Sequence, residues 1–140
     1  MRKQYHLRPS PSGLLAWDVH RLIRLTAHLP RVEVPLGSIR ELDAPFWFGG
    51  GSGAATCRAV ADHARLIAET DLRYPIILGA DGRVMDGMHR VAKAYLEGRT
   101  TVVAVRLDVD PEPDFVGVDE DALPYDADTD GGPLEPQESP

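Results

Sequence analysis

The chain has 140 residues, 43 % of them hydrophobic, one cysteine, and a formal net charge of −7 at pH 7. That length suits one domain with a modest core, and no apolar run approaches the roughly 18 residues that a membrane helix needs. The lone Cys57 excludes an internal disulfide and fits a reducing cytoplasm, and without Cys pairs or an HExxH pattern a zinc centre is not expected.

Residues 1–13 carry two Pro-Ser steps and read as an irregular arm, with no signal-peptide apolar block behind the basic start. Asp18 is placed as the N-cap of a helix in which Val19, Leu22, Ile23 and Thr26 share a face, ended by Pro30. Arg21, Arg24 and Arg31 make the outside of that helix basic, through ordinary solvation or as a dock for the chain's own acidic tail. Val32-Glu33-Val34 alternates like a short strand, and Ser38 caps a single turn, Ile39 to Leu42.

Phe46-Trp47-Phe48 then runs into the glycine-rich stretch Gly49–Gly53. No Gly-Lys-Ser/Thr closes that stretch, so it is a lid or a linker rather than a Walker loop. The aromatics pack on the core or stack on a base. Thr56 caps a helix through about Glu69, with Val60, Ala64 and Ile67 on one stripe and Ala61 and Ala68 beside it. His20, His28 and His63 show no ligand spacing and read as surface residues.

Pro75-Ile76-Ile77-Leu78 reads as a buried strand, Asp81-Gly82 as a turn, and Arg83-Val84-Met85 as a second short strand. A helix follows over Met88–Glu97, closed by Gly98, with Met88, Val91, Ala92, Tyr95 and Leu96 on one face. Thr101–Leu107 is a final strand rich in β-branched residues. Helix, strand, helix, strand, strand, helix, strand gives an α+β fold: a small mixed sheet with packed helices.

Charge divides the chain. Residues 1–107 hold all 15 Lys and Arg with 10 acids, whereas 108–140 hold 12 acids, neither Lys nor Arg, and six prolines. The domain is therefore expected over 14–110, with 111–140 an acidic, Pro-rich tail that is largely mobile. Phe115, Val116, Val118, Leu123 and Tyr125 are the tail residues able to dock locally.

The stretch Asp86-Gly87-Met88-His89-Arg90 carries the functional reading. Unpaired N–H groups make a helix start electropositive, so His89 and Arg90 in that first turn are unfavourable unless an anion joins them. A phosphate held by the N–H groups, the imidazole and the guanidinium turns repulsion into attraction. The structural alternative is that Asp86 caps the helix and Arg90 is a solvated charge balancing Asp86.

From about Val32 to Leu107 the chain resembles the ParB/sulfiredoxin-like superfamily. The resemblance rests on Tyr74-Pro-Ile-Ile-Leu, on Asp81-Gly-Arg-Val-Met-Asp-Gly-Met-His-Arg-Val-Ala-Lys-Ala, and on Gly98 with the strand after it. It implies a nucleoside phosphate (ATP, ADP or CTP) at the start of the motif helix, framed by Gly87, Met88, His89 and Arg90. Thr56 is a further candidate phosphate contact.

Met88 stands where sulfiredoxins need cysteine, so sulfinic-acid reduction is not expected. The acidic tail disfavours DNA binding of the partition type. The kinase branch, with its D-G-H-H-R motif, matches at Asp86, Gly87, His89 and Arg90. It implies a phosphotransferase acting on a small hydroxyl-bearing substrate, in which Asp86 holds Mg²⁺ or accepts the hydroxyl proton and Glu41 or Asp43 supplies a second carboxylate. The other reading is a cytoplasmic, non-catalytic nucleotide sensor whose loop 46–56 orders on ligand. A homodimer is compatible with either, and no membrane partner is expected.

Overall fold

The computed structural model describes residues 3–48 and 54–125. Gly49–Gly53, read above as a lid or linker, lie outside the described residues, as does the tail beyond Tyr125.

The fold is α+β, built on two sheets. Strand β4 (Ile76–Leu78) lies between β6 (Thr101–Arg106), parallel to it, and β5 (Val84–Asp86), antiparallel. With β3 (Val32–Pro35) antiparallel to β6, the order is β3-β6-β4-β5. Both faces of this sheet are covered, which explains why β4 is apolar without alternation. Ile76 and Leu78 enter one cluster with Met88, Val91 and Val102, while Ile77 enters a second with Trp17, Leu22, Met85 and Val105.

Helix α1 (Val19–Thr26) follows directly on its cap: the Asp18 carboxylate accepts from the His20 backbone N–H at 2.9 Å. The helix stops at Thr26, short of Pro30, and the Thr26 hydroxyl donates to Leu22 O. The expected turn at Ile39–Leu42 is two 3₁₀ turns, Leu36–Ser38 and Arg40–Asp43, with Ile39 buried between them. Ser38 does not cap; its hydroxyl donates back to Pro35 O.

Helix α2 (Cys57–Glu69) begins at Thr56, whose Oγ1 accepts from Ala59 N at 3.1 Å. Its inward stripe is Ala59, His63, Leu66 and Ile67, whereas Val60 and Ala64 face solvent, a rotation from the expected stripe. Helix α3 (Met88–Leu96) buries Met88, His89, Arg90, Val91 and Ala94, and leaves Tyr95 and Leu96 exposed as it leaves the core. The buried face thus spans its beginning rather than its whole length.

The irregular arm and the end at residue 110 are both corrected. Tyr5–Arg8 forms β1, paired antiparallel with β2 (Leu15–Asp18), and β2 pairs in turn with β7 (Phe115–Val116). Up to Tyr125 the acidic segment packs on the body because its polar groups are used. Asp114 accepts from the Asp18 N–H at 2.8 Å, Pro111 O accepts from Trp17 Nε1 at 2.7 Å, and Arg21 donates to Glu112 O. Leu123 is buried against Tyr5 and Ala16, and the Tyr5 hydroxyl donates to Pro124 O. Phe115, Val118, Leu123 and Tyr125 dock on a strand pair that composition alone conceals, whereas Val116 pairs in β7 with its side chain largely exposed. Among the described residues no helix is long and apolar enough to cross a membrane.

Candidate functional site

The site lies where edge strand β5 hands over to α3. Gly87 makes the transition with φ +104°, and a Cβ there would sit 2.7 Å from Ile76 Cγ2 and 2.8 Å from Arg90 Nη2. Neither the backbone angle nor the space admits another residue. Gly87, not Asp86, is the N-cap; no side chain caps α3, and its first turn contains no acid.

Arg90 turns back beneath this step. Its Nη2 donates to Asp86 Oδ2 at 3.0 Å and to Pro75 O at 3.3 Å, while its buried Nε has no hydrogen-bond partner. The pairing weighed as the structural alternative is therefore present, but buried rather than solvated: each side chain is 3 % exposed. An interior ion pair is kept by mutual need, since either charge left alone there is costly.

His89 is fully buried in the first turn of α3, and its Nε2 lies 2.8 Å from Nδ1 of His63 on α2. Trp47 stacks over both imidazoles, with ring centroids at 4.5 Å from His63 and 4.6 Å from His89. Burial lowers the pKa of His63, with Asp62 opposing. Since an N–H···N bond needs one unprotonated nitrogen, lowered basicity favours the bonded state at neutral pH.

The remaining expected site residues separate. Glu41 is near: its Oε2 accepts from the Val84 N–H at 2.8 Å, covering an outward donor of the edge strand. Asp43 is exposed on the 3₁₀ turn, and Thr56 is exposed with its hydroxyl spent on the α2 cap. Met88 is a core residue. His20 is buried rather than on the surface, and His63, also expected at the surface, is half-buried. Placing His63 one turn from Ala59 and Ile67 on the inward face would have revealed it.

Two cavities border Asp86. The first, about 330 Å³, is lined by Tyr5, His6, Trp47, Gly87, Met88 and Glu120, among others. Two of these side chains bring buried polar atoms without hydrogen-bond partners, His6 Nε2 and Trp47 Nε1. Burial first, then the Arg8 charge, lowers the His6 pKa to about 4, so its ring is neutral at pH 7. The second cavity, about 220 Å³, is shared by Arg90 and the C-terminal end of α1.

Asp86 is committed to Arg90, which compensates its charge and occupies Oδ2 at 3.0 Å, so as it stands it is a weak candidate for Mg²⁺. No family model, curated protein or solved structure matches the chain.

Proposed function

We propose that the protein binds a nucleoside phosphate at the start of α3, as a binding or sensing module rather than a phosphotransferase. One observation carries the reading: an electropositive helix start with no capping side chain and no acid in its first turn opens on an aromatic-lined cavity of about 330 Å³, whose wall also carries Glu120 and the Arg90-compensated Asp86. That volume lies at the small end of the range for ligand sites. Trp47 offers an aromatic face for a base, and Trp47 Nε1 and His6 Nε2 offer orientation to polar groups.

Transfer chemistry has less support. Asp86 is held by Arg90, which makes it a poor base, and Glu41 is engaged with the β5 backbone. Arg90 contributes by fixing the Asp86-Gly87 step instead of reaching for phosphate. A partition-type DNA role has less support still, because Asp114 and Glu112 O occupy Arg21 on the basic face of α1.

The test is titration of ATP, ADP, CTP and inorganic phosphate, with and without Mg²⁺, followed by the unfolding midpoint and by Trp47 emission in a Trp17→Phe background. Binding raises the midpoint with concentration and perturbs Trp47. Glu120→Gln, which removes an acid from the cavity wall, tightens it. Absence of a saturable response to every nucleotide at millimolar concentration overturns the reading.

A further inference from the structure

The geometry points to a second ligand site in the cavity of about 220 Å³ between α1 and β4, for a small apolar monocarboxylate. Its wall is made by Ile23, Leu29, Ile77 and Val105, which reward an apolar body. An apolar cavity of about 150 Å³ is known to hold benzene, so this one has room for a single ring or a short branched chain together with one carboxylate.

A guanidinium in that wall makes the site selective for an acid. Arg90 borders the cavity and is 2 % exposed. Its hydrogen bonds run through Nη2 alone, to Pro75 O and Asp86, and Nε has no partner. A planar guanidinium has five donors and can serve a second carboxylate while holding the first. Thr26, which also lines the cavity, does not compete, because its hydroxyl donates to Leu22 O and Ile23 O.

Charge selects the sign of the ligand. Asp86 offsets Arg90, and Arg31, exposed at the same cavity, donates to a carbonyl, Arg73 O, rather than to an acid. The balance at the cavity is one positive charge, which attracts an anion and repels an amine. Ala27 is also exposed there, so the mouth lies at the α1 end beside Arg31. This site shares Asp86 with the nucleotide cavity but is otherwise lined by different residues, and neither proposal depends on the other.

Benzoate is the probe, benzamide its neutral isostere, and ligand-observed saturation-transfer NMR with the unfolding midpoint the readouts. Benzoate gives a saturable response that ATP does not displace, and benzamide binds about tenfold more weakly or not at all, the loss expected for one charge-assisted hydrogen bond. Ala27→Trp, which plugs the mouth, abolishes the response. Arg31→Glu, at an exposed position that leaves the fold intact, weakens it about tenfold through charge reversal. Equal binding of benzamide, no saturable response to benzoate, or a response unchanged in both variants overturns the proposal.

Discussion

Oδ2 of Asp86 and Nη2 of Arg90 meet at 3.0 Å across one turn of chain, with Gly87 between them lying so close to the guanidinium that a methyl group there would collide with it. The ion pair and the left-handed glycine are thus one unit, and it sets where α3 begins.

Removing one charge should expose how much of the fold relies on that unit. Asp86→Ala leaves a buried guanidinium uncompensated and is expected to cost about 3–5 kcal/mol. Asp86→Ala with Arg90→Met should recover much of the loss, because neither buried charge remains. Urea unfolding of the two variants beside the parent checks this. A double variant no more stable than the single would contradict it.

Two glycines with positive φ provide a matched contrast. Gly87→Ala meets Ile76 and Arg90 at under 3 Å, whereas Gly82 (φ +88°) has nothing within 4 Å of an added Cβ. Gly82→Ala should cost about 1–2 kcal/mol from backbone strain alone. Gly87→Ala adds the collision and should exceed it by at least about 2 kcal/mol. Thermal unfolding of both variants gives the comparison directly.

Acid should weaken the fold well before the carboxylates titrate. Burial and the Arg8 charge hold the His6 pKa at about 4 against an ordinary 6.5. As pH falls through 6.5 the unfolded chain takes up this proton first, and the stability it represents, up to about 3 kcal/mol, is lost by pH 4. His63 is lowered too and acts in the same direction. Asp71 and Asp81, held low chiefly by their bonds to Arg73 and to the Arg83 N–H, act only below that window. Urea midpoints for His6→Phe between pH 7 and 4.5 should fall less steeply than those of the parent.

Leu123 tests the packing of the acidic segment. It is 4 % exposed against Tyr5 and Ala16, so Leu123→Ala should cost about 2–4 kcal/mol. Val109→Ala, at a position 78 % exposed, should stay within about 0.5 kcal/mol of the parent. Equal stability of the two variants would show the segment to be an appendage.

The central sheet and α3 were legible because their signals are local. Pro75–Leu78 is an unbroken apolar run, Asp81-Gly82 a turn pair, and Gly98, with φ +76°, a helix terminator. Strands β1 and β7 carry weaker signals. Tyr5-His6-Leu7-Arg8 does alternate apolar and polar residues, but over only four positions and against two Pro-Ser steps that argue for an irregular arm, and the third strand of its sheet, at Phe115, lies among prolines and acids whose composition argues against structure. On α2, the apolar Val60 and Ala64 point to solvent, whereas His63 lies on the half-buried inward stripe. The motif at 86–90 was located correctly as a junction, but spacing could not tell a guanidinium held inside by Asp86 from one reaching for a ligand.

The three-stranded sheet has a consequence for biosynthesis. Residues 5–18 leave the ribosome about a hundred residues before the strand and the Leu123 plug that complete their layer. Until then the hairpin presents an unsatisfied edge along β2 and a bare apolar flank at Tyr5, an invitation to mispair. The nascent chain is exposed to mispairing in that interval, and slowing translation of the codons between residues 18 and 115 should lengthen the interval without altering the finished protein.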